Sequence, residues 1–147
     1  MSLNMNKPGE RYLLIAEDDE DDRHLMRTAF AAKGFNEKLV FTENGEELLE
    51  YMYSAHEKKA IAPVFVLLDL NMPKKDGKET LRELKQHPEL RKTPVVIFST
   101  TNNQQVINKC YELGANSYIL KPPVYESLLN VVDVLTNYWF SVVSKPS

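Results

Sequence analysis

The sequence VFVLLDLNMPKKDG, residues 64–77, decides the fold class. Its first five residues, Val64–Leu68, form a short, continuous apolar run of valine, phenylalanine and leucine. Such a run predicts a β-strand that is buried on both faces, as strands are in a parallel sheet. Asp69 follows the run directly, and taken alone it could be either a turn residue or a functional carboxylate at the strand end.

Four further runs share this character and predict four more strands, at Tyr12–Ala16, Leu39–Phe41, Val95–Phe98 and Tyr118–Leu120. Between the strands, apolar residues recur at helical spacing, which predicts a helix after each strand. The predicted helix faces contain Leu25, Met26, Ala29 and Phe30; Leu48, Met52 and Ala55; Leu81 and Leu84; Val106, Cys110 and Leu113; and Leu128, Val131, Val132, Leu135 and Trp139. Five strand–helix repeats predict an α/β sandwich with a parallel sheet and right-handed crossovers.

Local signals also mark where helices begin and end. Asn44 predicts the N-cap of the second helix, because its side chain can accept a hydrogen bond from a free backbone N–H of the first turn. The third helix is expected to end near Pro88, and the fourth at Gly114. A charged loop over residues 57–63 leads into the third strand.

The composition fits one globular domain and excludes several classes of protein. The chain has 147 residues, of which 43% are hydrophobic and 27% charged, and its net charge of −3 leaves no basic footprint for nucleic acid. Cys110 is the single cysteine, which is typical of a reducing compartment. No apolar run approaches the roughly 20 residues that span a bilayer. We expect a cytoplasmic protein without nucleic-acid or membrane partners, with a disordered tail over residues 1–9, a domain over residues 10–143 and a tail over residues 144–147.

Reactive side chains follow four of the five predicted strands. In an open α/β sheet, ligands bind beside the carboxyl ends of the strands. The residues at these ends are Glu17 and Asp18 after the first strand, Asp69 after the third, Ser99 and Thr100 after the fourth, and Lys121 after the fifth. We therefore expect three carboxylates, a hydroxyl group and a lysine amine to converge on one edge of the sheet.

These residue types suit phosphoryl transfer assisted by a divalent cation. Two carboxylates 4 Å apart repel each other by about 4 kcal/mol at an effective dielectric constant near 20, and a bound cation would remove that cost. Ligands that are all oxygen favour Mg²⁺. Asp69 could then act as a nucleophile and form an acyl phosphate. Lys121 and the metal would balance the phosphoryl charge, and Ser99 would donate to a phosphoryl oxygen.

At this point a family resemblance becomes specific. Glu17–Asp18, the sequence LLDLNMPKKDG over Leu67–Gly77, Ser99 and Lys121–Pro122 together resemble the signature positions of the bacterial response regulator receiver family. The resemblance covers about residues 10–140. It implies a doubly wound, flavodoxin-like (βα)5 sandwich whose five parallel strands have the order 2-1-3-4-5. It also implies a stand-alone receiver domain of two-component phosphorelay signalling.

The resemblance implies a metal-dependent acceptor site. Asp69 would be the phosphoacceptor, phosphorylated by a histidine kinase, and would also bind the metal. Asp18 would bind Mg²⁺ directly, and Glu17 would help to hold it, in part through water. Asn71 would offer its backbone carbonyl to the same ion.

The resemblance also implies a switch. Ser99 and Tyr118 match the hydroxyl and aromatic residues of the family's switch pair. Lys121 matches the phosphate-contacting lysine, and its bond to Pro122 would be cis. Accepting a phosphate would then change a protein-interaction surface formed by the fourth helix, the fifth strand and the fifth helix.

Further segments narrow the resemblance, and two positions depart from it. EDDEDD (Glu17–Asp22), LRKTPVV (Leu90–Val96) and GANSYILKP (Gly114–Pro122) are similar to small single-domain regulators, some of which partner with bacterial phytochrome histidine kinases. Thr100 stands where the family prefers a very small residue, and its bulk is expected to narrow access to the phosphoryl group. Pro123 stands where phenylalanine is common, which affects local packing.

The expected partners are proteins. They comprise a histidine kinase or phosphotransfer protein and an unidentified downstream target. The fifth helix carries Leu129, Val134 and Tyr138 away from its main apolar face. These residues are either isolated exposed side chains or part of an association surface. Extended exposed apolar patches usually mark contacts with other proteins. We favour the second interpretation, which includes a homodimer through the fourth helix, fifth strand and fifth helix.

Two other functions compete with signalling. A phosphatase of the haloacid dehalogenase type also uses a strand-end aspartate, Mg²⁺ and lysine, but it needs a second acid two residues later for acid–base catalysis. Asn71 occupies that position here, and no cap insertion is present. A scaffold with a receiver fold that is never phosphorylated is disfavoured by the complete set of acceptor residues, although Thr100 leaves it open.

Overall fold

A computed structural model describes residues 10–144, in which five strands alternate with five α-helices. The strands are β1 (Tyr12–Ala16), β2 (Lys38–Thr42), β3 (Val66–Leu68), β4 (Val95–Ser99) and β5 (Ser117–Leu120). The helices are α1 (Glu20–Ala32), α2 (Gly45–Glu57), α3 (Gly77–Gln86), α4 (Gln104–Glu112) and α5 (Tyr125–Asn137). A 3₁₀ helix at Leu90–Lys92 precedes β4, and a π-helix at Tyr138–Val142 extends α5. The tail expected over residues 1–9 and most of the one expected over 144–147 lie outside the described residues.

The five strands form one parallel sheet with the order β2-β1-β3-β4-β5, which confirms the predicted topology. The central strands β1, β3 and β4 are buried at every residue. The prediction of burial on both faces is wrong for β2 and β5, most of whose residues are only half-buried. These two strands form the edges of the sheet, where one side of each has no neighbouring strand within the described part of the chain.

Alternate residues of the strands enter two apolar cores, one on each face of the sheet. In β1, Tyr12 and Leu14 pack on the side of α2 and α3, whereas Leu13 and Ile15 pack on the side of α1 and α5. Leu25 was predicted on the core face of α1 and is instead 44% exposed. The core face is formed by Met26, Ala29 and Phe30, and Leu25 lies about 100° round the helix from Met26.

The predicted helix ends at Asn44 and Gly114 are confirmed. The Asn44 side chain accepts the backbone N–H of Glu47 at 2.9 Å and so caps α2. Gly114 follows α4 with φ +107°, a left-handed backbone that favours glycine. The expected cis bond between Lys121 and Pro122 is wrong: the described residues contain no cis peptide bond, and trans is the intrinsically preferred isomer.

Across the described part of the chain, no helix has the length and apolar character that crossing a membrane requires.

Candidate functional site

Three carboxylates meet at the carboxyl edge of the sheet. Glu17 and Asp18 follow β1 and Asp69 follows β3, and one oxygen from each lies within 4.8 Å of the others. Parallel pairing of Ala16 with Leu68 places these strand ends side by side, and the Asp69 backbone N–H donates to the Ala16 carbonyl at 3.1 Å. Glu17 and Asp69 are only 1% and 6% exposed, whereas Asp18 is open to solvent. The exposed Asp18 gives a cation access to an otherwise buried acidic pocket.

The amine of Lys121 lies among these carboxylates. Its Nζ donates to Glu17 Oε1 at 2.7 Å and to Asp69 Oδ2 at 3.2 Å, and it lies 3.7 Å from Asp22 Oδ2. The Lys121 backbone N–H donates to the Ser99 carbonyl at 2.8 Å, which ties the end of β5 to the end of β4. One lysine therefore offsets the mutual repulsion of several acids that the fold brings together.

The electrostatics of the pocket are unusual at Glu17. Burial raises the pKa of Glu17 from its usual 4.5 to about 7, against the opposing effect of Lys121 and with a further contribution from the Asp69 charge. Burial alone would lower the pKa of the Lys121 amine, but its contacts with Glu17 and Asp69 raise it above the ordinary value. The pocket without a metal therefore holds a charged amine beside a carboxyl group that titrates near neutral pH.

We expect the metal-free protein to lose stability as the pH rises from about 4.5 to above 7. Folded Glu17 keeps its proton up to about pH 7, whereas the unfolded chain releases it near 4.5, so ionisation penalises the folded state. The expected loss is about 1 kcal/mol per pH unit over this window, on the order of 2–3 kcal/mol in total. Urea unfolding in EDTA at several pH values measures it.

A Glu17→Gln variant should lose this pH dependence, because the amide does not titrate. Glu50→Gln is the matched control, since Glu50 is exposed on α2, and it should keep the slope of the parent protein. Equal slopes for the Glu17→Gln variant and the parent protein would contradict the raised pKa.

The loop after Asp69 folds back onto the end of β3. A Cβ atom at Gly77 would lie 2.5 Å from the Asp69 carbonyl oxygen and 2.6 Å from Leu70 Cα, so no side chain fits there. The Gly77 N–H donates to the Leu70 carbonyl at 2.9 Å, and the Asn71 N–H donates to Asp69 Oδ1 at 3.3 Å. The close backbone approach at Gly77 starts α3 against the strand, and the Asn71 N–H orients the Asp69 carboxylate.

Ser99 and Tyr118 both contact the loop between β4 and α4. Ser99 is fully buried, and its hydroxyl accepts the Thr101 N–H at 3.1 Å. The Tyr118 hydroxyl donates to the Thr101 carbonyl at 2.7 Å. Burial raises the pKa of the Tyr118 phenol above its usual value, with a smaller opposing effect from Ser99, so the phenol stays a neutral donor. Thr100 and Pro123, the departures from the family pattern, are both exposed.

Sequence reasoning did not predict the contribution of Arg23 to the pocket. Arg23 of α1 donates from Nη1 to the Glu17 carbonyl at 2.8 Å, and its Nη2 lies 3.7 Å from Glu43 Oε1. This arginine therefore fixes the backbone of Glu17 from the side of α1. Its position six residues after Glu17, within a run of charged residues, is compatible with an exposed helix face, and no sequence signal marks it as a contact.

Comparisons with known proteins agree with this geometry. The family described as response regulator receiver domain matches residues 13–133. Response regulator Rcp1 of Synechocystis sp. is 31% identical over 148 residues, which cover 100% of this chain and 99% of the relative.

Two solved structures extend the likeness to three dimensions. That of the phosphorylated cyanobacterial phytochrome response regulator RcpA gives a TM-score of 0.86 at 34% identity, covering 95% of this chain and 100% of that chain. The Mn²⁺-bound form of Rcp1 gives a TM-score of 0.79 at 30% identity, covering 93% of this chain and 99% of that one.

Proposed function

The chain belongs to the response regulator receiver domain family, and from this premise we propose that it accepts a phosphoryl group on Asp69 from a histidine kinase. Members of this family are phosphoacceptor signalling modules rather than enzymes, and receiver domains partner with histidine kinases. The observation that carries the proposal is the cluster of Glu17, Asp18 and Asp69, with the Lys121 amine 3.2 Å from Asp69.

In the proposed reaction, an Asp69 carboxylate oxygen forms a bond to phosphorus while the bond from phosphorus to the donor's histidine nitrogen breaks. The product is an acyl phosphate, and the electron pair of the broken bond stays with the imidazole. Negative charge is spread over the three outer phosphoryl oxygens during transfer. The Lys121 amine balances part of that charge. The Ser99 oxygen accepts the Thr101 N–H, and its own O–H remains available to donate to a phosphoryl oxygen.

The receiver has an acidic, metal-binding triad, and its relative Rcp1 is known in a Mn²⁺-bound form. We propose Mg²⁺ as the ion of this chain, bound by Asp18, Asp69 and the backbone carbonyl of Asn71, with Glu17 helping through water. Three carboxylate oxygens within 4.8 Å fit a hard divalent cation that takes oxygen ligands. When bound, the ion would supply positive charge beside the transferring group.

Intact mass after incubation with phosphoramidate tests the proposal on the full chain. We expect a gain of one phosphate group in Mg²⁺ and no gain in EDTA. No gain in Mg²⁺ would favour a scaffold that is never phosphorylated. Repeated turnover of an external phosphate monoester would favour the phosphatase instead.

The likeness to Rcp1 over nearly the whole of both chains supports a further part of the proposal, that this chain works as a stand-alone receiver. The likeness to the phytochrome response regulator RcpA supports a phytochrome-type kinase as donor, directly or through a phosphotransfer protein. We place it in the cytoplasm, where its free Cys110 thiol would stay reduced.

The output would be a protein contact through α4, β5 and α5. Val134 and Tyr138 are 68% and 51% exposed and Leu120 of β5 is 48% exposed, whereas Leu129 packs partly against the core. A homodimer or a downstream protein would cover this surface. Analytical ultracentrifugation with and without beryllofluoride and Mg²⁺ distinguishes these two occupants, because only a homodimer changes the mass of the isolated chain.

A further inference from the structure

Helix α4 is held to the sheet by few buried side chains. Of its nine residues, all within the described part of the chain, Cys110 alone is buried. Val106 and the capping residue Leu113 pack only partly against the core. Polar contacts therefore contribute more to the position of α4 than to the position of a well-buried helix such as α2, in which six residues are buried.

Two hydrogen bonds join Tyr118 to opposite ends of this helix. The Tyr118 hydroxyl donates to the Thr101 carbonyl at 2.7 Å, in the loop that precedes α4. The Tyr118 backbone N–H donates to the Tyr111 hydroxyl at 3.0 Å, and Tyr111 belongs to the last turn of α4. One residue of β5 thus ties down both ends of a weakly packed helix.

The hydroxyl of Tyr111 provides a hydrogen-bond acceptor at the outer edge of β5. β5 is the terminal strand of the sheet, and among residues 10–144 no strand pairs with its outer edge. At Tyr118 the hydroxyl of Tyr111 accepts the N–H that a further strand would otherwise accept. Tyr111 is 48% exposed, so burial accounts for its placement only in part.

We propose that Tyr111 is a positioning residue of the phosphorylation switch. It fixes the backbone of Tyr118 so that the Tyr118 side chain reaches Thr101, and it couples that side chain to the carboxyl-terminal end of α4. When Tyr118 leaves Thr101, the amino-terminal end of α4 is released while the other end stays held, and the helix pivots about Tyr111. The inference rests on the proposed function in so far as that function makes Tyr118 part of the switch.

Amide hydrogen exchange tests the hydrogen bond in the metal-free, unphosphorylated full chain. In a Tyr111→Phe variant, the Tyr118 amide should exchange about fivefold faster, as expected for the loss of one hydrogen bond, with Ile119 unchanged. Tyr53→Phe is the matched control, because Tyr53 is 37% exposed on α2 and lies outside the surface formed by α4, β5 and α5. Unchanged exchange of Tyr118 in the Tyr111→Phe variant would overturn the proposal.

A double-mutant cycle tests the coupling, again without phosphoryl chemistry. The unfolding equilibrium constants of Tyr111→Phe, Tyr118→Phe and the double variant should depart from additivity by about three- to fivefold, the size expected of contacts that share a residue. Additive effects would mean that Tyr111 only caps the strand edge, and the positioning role would be refuted.

Binding of beryllofluoride with Mg²⁺ tests the consequence for the switch. Tyr111→Phe should strengthen binding by about three- to tenfold, since the hydrogen bond that holds Tyr118 on Thr101 is weakened and the released, binding-competent conformation becomes more populated. Tyr53→Phe, on α2, should leave binding unchanged. Equal affinity of Tyr111→Phe and the parent chain contradicts the positioning role. If the parent chain binds no beryllofluoride, the result counts against the proposed function. Amide hydrogen exchange and the double-mutant cycle would then still decide whether Tyr111 positions Tyr118.

Discussion

An Asp69→Asn variant is expected to gain no phosphate from phosphoramidate and Mg²⁺, under conditions in which the parent chain is phosphorylated. The amide has nearly the shape of the carboxylate but cannot form an acyl phosphate, so the chemistry is lost while the packing is kept. Asp69 is 6% exposed and its Oδ2 lies 3.2 Å from Lys121 Nζ, so the amine can balance the charge of a phosphoryl group on this carboxylate. Intact mass gives the result directly.

Asp21→Asn is the matched control for this loss. It makes the same chemical change at an exposed residue in the first turn of α1, outside the acidic pocket. It should be phosphorylated to the same extent as the parent chain. Phosphate that persists in Asp69→Asn would mean that a different residue is the acceptor, and peptide mapping would identify it.

A Lys121→Met variant is expected to be less stable than the parent by about 2–4 kcal/mol near pH 8, in EDTA, because it leaves buried carboxylates without their cation. Lys121 contributes the only amine within 4 Å of Glu17 and Asp69 among the described residues. Phosphorylation should slow as well, since the amine no longer balances the charge of the transferring group. Urea unfolding and the time course of intact mass measure the two effects.

The loss of stability should shrink towards pH 5. Lys121 opposes the raised pKa of Glu17, so its removal moves that pKa still higher than about 7. Below pH 4.5, the pKa of Glu17 in the unfolded chain, the group is protonated in both states and does not affect stability. Above its pKa in the folded state, the full free-energy cost of ionising it applies. Lys92→Met removes a lysine that pairs with Glu89 at the surface and should change stability little at either pH. A pH-independent loss in Lys121→Met would point to lost packing instead.

The sequence predicts most of the fold because its patterns are local. The apolar runs that end at Ala16, Leu68 and Phe98 specify buried strands, and parallel pairing then brings whatever follows them to one edge. Glu17 and Asp69 could therefore be predicted as neighbours without any knowledge of distances. The topology itself came from the family resemblance, since periodicity alone does not order the strands.

Other features depend on contacts that no local pattern carries. Tyr111 has the sequence signature of an exposed helix residue, and its hydroxyl reaches Tyr118 only because α4 lies across the free edge of β5. Leu25 fits the apolar repeat of α1 as well as Met26 does, and the exact rotation of the helix on the sheet decides which of them is buried. Such details depend on tertiary packing at the scale of a single side chain.

The absence of space at Gly45 and Gly77 matters to anyone who wishes to turn this protein into a biosensor. A Cβ at Gly45 would lie 2.5 Å from the Lys75 carbonyl, and one at Gly77 would lie 2.5 Å from the Asp69 carbonyl, so neither position tolerates an attached reporter. Residues 58–63 connect a helix to the start of a strand and so run along the opposite rim of the sheet, where Lys58 and Lys59 are exposed. A fluorophore or fused domain is best placed there, because it would leave the phosphate-accepting pocket undisturbed.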